Sequence, residues 1–140
     1  MIQSSGKIVG VGSALVDILL QESDTFLAQT KGAKGGMTLV EYTDIEKIFA
    51  RSTTQPDSVP GGSACNTIVG IGALGAPAVF IGKCGDDGLG ALLENDLIKN
   101  QVTPKLTKSE SPTGRVLSII TPDAQRSMFT FLGASSEATP

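Results

Sequence analysis

Hydrophobic residues along the chain form short β-branched runs and longer stretches with helical spacing. Residues 7–11 form the first short run and predict a buried strand that enters a glycine turn. Residues 14–20 are apolar except for Asp17 and predict a second strand. Four further strands, the last two joined by a turn at residues 121–124, are predicted at residues 37–40, 78–81, 116–120 and 128–132.

Three longer stretches predict helices. Residues 43–46, Thr-Asp-Ile-Glu, fit a capping box and open a helix that ends near Arg51. Residues 63–74 are small and apolar and predict a buried helix, which Gly75 and Pro77 bring to an end. Asp86 or Asp87 is expected to cap a third helix, with apolar residues at helical spacing from position 89 to 98. The polar residues 52–60 predict a loop.

The order of these elements indicates the fold class. Strands and helices alternate in the middle of the chain, which predicts an α/β fold with a largely parallel, Rossmann-like sheet. The strands near Asp17, near Met37 and at the C-terminal end do not fit that alternation, so we expect them to form a smaller accessory sheet. The sequence ends shortly after a strand and without a closing helix, which predicts a partial domain over residues 1–140.

Composition removes several classes of function. The net charge is −3 and no basic stripe occurs, which argues against nucleic acid or a membrane as a partner. The chain has no histidine, so Ser-His-Asp catalysis and His-ligated metal sites are excluded within it. Cys65 and Cys84 lie among small apolar residues and predict buried, reduced thiols. No secretory signal or long apolar run is present, and we expect a cytoplasmic protein.

Two glycine-rich segments resemble phosphate-binding loops. Residues 70–75 read Gly-x-Gly-x-x-Gly, the pattern of dinucleotide-binding folds, but they close a predicted helix instead of opening one after a strand. Helix packing and a C-terminal cap are therefore favoured over NAD binding. Residues 82–90 leave a strand and enter a helix, yet Asp86 and Asp87 would repel phosphate, and helix capping is the better interpretation.

A third segment and one carboxylate suit a polar ligand. Gly61 and Gly62 precede a helix, where glycines let a ligand approach free backbone amides. Asn66, one turn into that helix, can both donate and accept hydrogen bonds, which suits a sugar hydroxyl, although a purely structural turn is equally consistent. Asp17 within an apolar run needs strong hydrogen-bond donors, from ligand hydroxyls or from the protein itself.

Together these segments resemble the ribokinase (PfkB-type) family of carbohydrate kinases. The Gly-Gly pair at 61–62, Asn66 and the downstream glycines Gly75 and Gly85 match the spacing of its first signature. A second family segment is matched at residues 82–90. The Gly-x-x-x-x-Asp pattern near the start of the family's sequences is matched by residues 12–17. Residues 113–114, 126 and 133–134 are similar to its lid strands and the turn after them. Ile68 and Asn100 depart from the family pattern.

The resemblance implies a ribokinase-like domain with a small β-sheet lid, its strands within about residues 14–42 and 113–132. The implied reaction transfers the γ-phosphoryl group of Mg·ATP to a primary hydroxyl of a sugar or nucleoside. The residues implied to bind that acceptor are Asp17, Gly35, Gly36, Gly61, Gly62, Asn66 and Arg126. The resemblance places the catalytic Asp and the sites for ATP and Mg²⁺ in a C-terminal half that this sequence lacks, so we expect no catalytic residue here and an inactive isolated chain.

Three matters stay open at this level. An NAD-binding oxidoreductase domain using residues 70–75 is one alternative function, and a non-catalytic ligand-binding module derived from a kinase lobe is another. Residues 126–133 look more like members that act on adenosine or fructose-type sugars than like ribokinase, which leaves the acceptor undefined. Lid sheets in this family sometimes pair, so a homodimer through the lid is a further expectation.

Overall fold

A computed structural model describes residues 6–139 and contains two β-sheets with helices packed against them. The elements, in chain order, are β1 (Ile8–Val11), β2 (Leu15–Gln21), α1 (Asp24–Ala28), β3 (Met37–Leu39), α2 (Tyr42–Phe49), β4 (Asp57–Gly61), α3 (Ser63–Ala73), β5 (Ala78–Gly85), α4 (Gly88–Lys99), β6 (Val102–Ser109), β7 (Gly114–Ile120), β8 (Arg126–Phe131) and a 3₁₀ turn at Gly133–Glu137.

The first sheet is parallel and has the strand order β1-β5-β6. Helices α3 and α4 pack on one of its faces, because alternate residues of β5 (Ala78, Phe80 and Cys84) present buried side chains there. Leu93 and Leu97 of α4 are fully buried in the same core. Helix α4 connects the parallel strands β5 and β6, as the alternation in the sequence predicts, whereas α3 leads from β4 of the second sheet into β5.

The second sheet has five strands in the order β3-β8-β7-β2-β4, and parallel and antiparallel pairs are mixed. β2 lies between β7, its parallel neighbour, and β4, its antiparallel neighbour. Val16, Ile18 and Leu20 of β2 point to a buried face, with Leu117 of β7 and Phe129 of β8 beside them. The alternate residues of β2, among them Asp17, point to the opposite face. This face is more open to solvent, since Val59 and Leu39 on it are 42% and 64% exposed.

Most predicted elements are present, with five corrections. β1 is not buried, since Ile8, Val9 and Val11 are all more than 40% exposed on a strand with β5 as its one partner among residues 6–139. Residues 57–61, predicted as loop, form β4, because their backbone pairs with β2. Helix α2 begins after Glu41 and not Thr43: the backbone N–H of Glu41 donates to the Asp44 carboxylate at 3.4 Å. Strand β6 and the short helix α1 were not predicted at all.

Two further features differ from expectation. The predicted buried helix, α3, is buried along one face only, at Cys65, Ile68 and Gly72. The accessory sheet, expected to be the smaller, has five strands against three in the parallel sheet of the described residues. Within residues 6–139, no helix is both long enough and apolar enough to span a bilayer.

Candidate functional site

The carboxylate of Asp17 lies on β2, the neighbour of the edge strand β4 in the five-stranded sheet, on the face opposite Val16 and Ile18. Its strand partners are Val59 on β4 and Val116 on β7. Burial raises the pKa of Asp17, and the positive charge of Arg126 partly opposes that rise. No hydrogen bond from residues 6–139 contributes to this pKa. Asp17 is thus a half-buried acceptor whose protein surroundings supply charge but no donor.

The Asp17 carboxyl group occupies space that a side chain at position 61 would fill, and Gly61 has none. A Cβ atom at position 61 would lie 2.6 Å from Cγ and Oδ1 of the Asp17 carboxyl group. Real Cβ atoms do not approach other atoms so closely, so any side chain here would displace the carboxylate. The glycine therefore keeps both oxygens of Asp17 free of steric contact from β4.

Gly62 connects the two layers beside this carboxylate. Its φ of +94° lies in the region that side chains disfavour, and a Cβ would come within 2.8 Å of the Ser13 carbonyl oxygen. Gly62 also caps α3, and its carbonyl accepts the backbone N–H of Asn66 at 2.9 Å. The Asn66 side chain is exposed on the first turn of that helix. Asp17, Gly61, Gly62 and the start of α3 therefore lie close together, in the arrangement that the family resemblance implies.

Gly35, Gly36 and Arg126 form a second group at the beginning of β8. Gly35 has φ of +73°, and its N–H donates to the Ser127 hydroxyl at 2.9 Å. The Gly36 carbonyl accepts the N–H of Met128 at 2.8 Å. β8 is two strands away from β2, which at sheet spacing is about 10 Å. The Arg126 charge nevertheless acts on Asp17, so the two groups share one electrostatic environment.

The Gly-x-Gly-x-x-Gly segment at residues 70–75 does not have the geometry of a dinucleotide site. It lies at the C-terminal end of α3, where helices present carbonyl oxygens rather than amides. A Cβ at Gly72 would overlap the carbonyl oxygen of Asn100, and Gly75 ends the helix with φ of +85°. These two glycines have packing and capping functions, so the NAD-binding alternative is wrong at this segment.

Asp87 caps α4, and the capping interpretation of residues 82–90 is confirmed. Its Oδ1 accepts the backbone N–H of Gly90 at 2.9 Å and the hydroxyl of Thr113 at 2.6 Å. Its Oδ2 accepts the backbone N–H of Thr113 at 2.8 Å. Burial by itself would raise the pKa of Asp87, but these hydrogen bonds and the nearby Arg115 outweigh it and lower the pKa. Sequence reasoning missed the contact with Thr113, because no local pattern connects residues so far apart.

The remaining groups with reactive potential do not assemble a metal or thiol centre. Both cysteines are buried and unpaired, as predicted, and burial raises the pKa of Cys65 to about 11. In the part of the chain that the structure describes, no three His, Cys, Asp or Glu side chains are placed to hold a metal ion. The chemistry of the site is therefore hydrogen bonding by Asp17 and its neighbours.

Comparison with known proteins gives consistent relatives. The profile described as "pfkB family carbohydrate kinase" matches residues 33–140. Probable fructokinase-2 from Arabidopsis thaliana is 25% identical over 136 residues, which is 96% of this chain and 34% of that protein. Fructokinase from Escherichia coli is 39% identical over 75 residues, covering 52% of this chain and 24% of that protein.

Solved structures extend the likeness to the fold. The adenosine kinase from Sinorhizobium meliloti superposes with a TM-score of 0.85 and 34% identity, covering 96% of this chain and 41% of that one. A probable sugar kinase from Rhizobium etli CFN 42 gives a TM-score of 0.86 and 32% identity with the same coverage. The predicted ribokinase-like α/β fold, present as part of a larger domain, is thereby confirmed; the chain spans about a third of the first curated relative.

Proposed function

Because this chain belongs to the pfkB family of carbohydrate kinases, we propose that it is the acceptor-binding part of an enzyme that phosphorylates a sugar or nucleoside. The observation that carries the proposal is the Asp17 carboxylate: half-buried, without a hydrogen-bond donor from the described residues, and kept clear by Gly61. A carboxylate in that position needs donors, and two adjacent hydroxyl groups of a ribose or hexose ring provide them.

The neighbouring residues have assigned parts in this proposal. Gly62 leaves the start of α3 accessible, so that the exposed amide of Asn66 can bind a further ring hydroxyl. Gly35 and Gly36 form the loop beneath the opposite end of the sheet, and Arg126 supplies a cation on the same side as Asp17. These roles are supported by the contacts above and by the family resemblance, and each can be tested by substituting the residue.

The transfer itself is assigned to the whole protein. In such reactions positioning and charge stabilisation dominate, and a carboxylate accepts the proton of the attacking hydroxyl. Asp17 is proposed to bind, since a group that holds two hydroxyls is not free to take up their proton. Following the family resemblance, we assign the Mg²⁺ and ATP sites to the part of the enzyme outside this chain. We expect the isolated chain to be inactive.

The acceptor is narrowed by the relatives rather than by the site. Matches include proteins named fructokinase, ribokinase and adenosine kinase. Asp17 is proposed to hold a pair of vicinal hydroxyls, and such a pair is present in fructose, in ribose and in the ribose of adenosine. A cytoplasmic location, expected from the sequence patterns above, and a homodimer through the five-stranded sheet, which rests on the resemblance alone, are also part of the proposal.

Ligand-observed NMR of this chain tests the proposal directly. Adenosine, ribose, fructose, ATP and NAD would each be titrated into the wild type, Asp17→Asn and Glu46→Gln. Glu46 is an exposed carboxylate on α2 and serves as the matched control. We expect one sugar or nucleoside to bind, about tenfold more weakly after Asp17→Asn, since hydrogen bonds to a charged group contribute about 1.5 to 3 kcal/mol. Glu46→Gln should leave the affinity unchanged.

Two results would count against the proposal. Binding of a sugar or nucleoside that Asp17→Asn leaves unaltered would remove Asp17 from the site. If the isolated chain binds none of these ligands, the test moves to the full-length protein. There Asp17→Asn must raise KM for the acceptor and leave KM for ATP nearly constant. Failure there would refute the assignment.

A further inference from the structure

The chain passes between its two layers at four places within residues 6–139. Two of them, residues 12–14 and Gly62, adjoin the paired strands β2 and β4 near Asp17. The other two, residues 110–113 and 132–133, meet each other: the backbone N–H of Ala134 donates to the Pro112 carbonyl at 2.9 Å. Contacts at this second meeting point hold one layer against the other at the same end of the five-stranded sheet, since Gly114 pairs with Leu15.

Asp87 concentrates its hydrogen bonds at that meeting point. It belongs to the parallel layer, where it caps α4 through Gly90. Its two bonds to Thr113 reach the residue immediately before β7, the first strand after the crossing. The Thr113 side chain is fully buried, and its hydroxyl oxygen also accepts the N–H of Gly85 at 3.0 Å. The crossing is therefore bonded to both β5 and α4.

A second set of contacts extends from Asp87 into the five-stranded sheet. A guanidinium nitrogen of Arg115 on β7 lies 3.7 Å from Oδ2 of Asp87, and this arginine side chain is only 11% exposed. The Arg115 guanidinium stands over the ring of Tyr42 at 4.9 Å, and that ring contacts Phe131 edge-on at 5.6 Å. Charge and aromatic contacts thus continue from α4 through β7 to α2 and β8.

The anchored end of β7 is joined to the candidate site by strand pairing. β7 and β2 run parallel, with Gly114 opposite Leu15 and Val116 opposite Asp17. Any rotation of β7 about Thr113 therefore moves β2 and its carboxylate relative to α3. The neighbouring crossings contain Gly12 and Gly62, which restrict the backbone least, and they offer little resistance to such a rotation.

We infer that Asp87 is a positioning residue that fixes the orientation of the five-stranded sheet, and with it Asp17, over the parallel sheet. The consequence for acceptor binding rests on the proposed function; the orientation itself does not. Loss of the Asp87 carboxylate leaves each layer folded and widens the range of angles between them.

Distances between spin labels measure this orientation directly. One label replaces Glu46 on α2, which packs on the five-stranded sheet, and the other replaces Lys99 on α4, which packs on the parallel sheet. The two native cysteines are fully buried and do not compete for labelling. Asp87→Asn and Thr113→Val are compared with Ser23→Ala, a control that loses the side-chain cap of α1, a bond of 3.1 Å within one layer.

We expect pulsed electron resonance to show a broader distance distribution for Asp87→Asn and Thr113→Val and an unchanged one for Ser23→Ala, at equal helix content by circular dichroism. If the wild type binds an acceptor, Asp87→Asn should raise the dissociation constant of that acceptor about tenfold, although Asp87 itself does not contact the ligand. Thr113→Val removes the hydroxyl bonds but keeps the backbone bond to Asp87, so it provides the answer if Asp87→Asn does not fold.

An unchanged, narrow distribution in a folded Asp87→Asn or Thr113→Val chain would overturn the inference. A broadened distribution in a chain that binds no acceptor would support the positioning role of Asp87 while removing the proposed function. The label distances therefore separate the two claims.

Discussion

Replacing Asp17 by asparagine is expected to stabilise the unliganded chain, although it removes a charged side chain from an inner strand of a sheet. The carboxylate is half-buried and receives no hydrogen bond from the described residues, so its ionised form is desolvated without compensation. Asparagine has the same shape and no charge, and it fits the space that Gly61 leaves. A residue selected to bind a ligand commonly lowers the stability of the free protein in this way.

The expected gain is about 1 kcal/mol, the usual size for replacing a functional polar group, and not more, because Asp17 is only partly buried and stays partly solvated. For a chain of this size that gain corresponds to a rise in Tm of about 3 to 5 °C. The sign of the pH dependence follows from the raised pKa of Asp17. Ionised Asp17 destabilises the fold above its folded-state pKa, and the penalty disappears as the pH falls through that value. The difference between Asp17→Asn and wild type should therefore be largest at neutral pH and shrink in acid.

Urea unfolding at several pH values, followed by circular dichroism, measures both effects. The control is Asp57→Asn, an exposed carboxylate on the same face of the neighbouring strand β4, which should change stability by less than about 0.5 kcal/mol. A lower unfolding midpoint for Asp17→Asn at neutral pH would refute the reasoning. It would mean that the carboxylate accepts structural hydrogen bonds and is not held ready for a ligand.

Three further substitutions and one chemical treatment test the packing described above. Gly61→Ala should destabilise the chain by about 1 to 3 kcal/mol in urea unfolding and weaken acceptor binding, because the new methyl group overlaps the carboxylate. Gly70→Ala should stabilise α3 by about 0.5 to 1 kcal/mol, since nothing lies within 4 Å of the new Cβ. Gly72→Ala should lose about 1 to 3 kcal/mol instead, and equal effects at the two positions would contradict the packing of that helix. Cys65, with its pKa near 11, should react with iodoacetamide at pH 7 only as the chain unfolds, which mass spectrometry under increasing urea would show.

Local patterns were sufficient for helices α2, α3 and α4 and for most strands, but not for the short helix α1. Asp87 ahead of an apolar helical stretch predicts the cap of α4, and Gly75 with Pro77 predicts the end of α3. These features depend on residues within a few positions of one another, which a single sequence displays directly. The Gly-x-Gly-x-x-Gly segment at residues 70–75 was likewise predicted to lie at the end of a helix, which argued against a dinucleotide-binding site there.

Features that depend on distant partners were not visible. β4 reads as a polar loop because its stability comes from pairing with β2, some forty residues earlier in the chain. β1 was expected to be buried because of its β-branched residues, yet burial depends on which elements cover it and not on composition. The bonds from Asp87 to Thr113 likewise require the fold, since nothing at either position specifies the other. The candidate site could be proposed only because the family resemblance gathered its dispersed residues.

The strand order of the five-stranded sheet has a consequence during synthesis. β2 pairs with β7, so about one hundred residues are made between the two strands, which takes roughly 5 to 20 s at typical translation rates. During that interval the apolar strand β2 has one open edge, the condition that favours association between nascent chains. Asp17 is the one charged residue in positions 14–20. A charge within such a run acts as a gatekeeper against aggregation, so the carboxylate proposed to hold the acceptor also protects the strand before its partner exists.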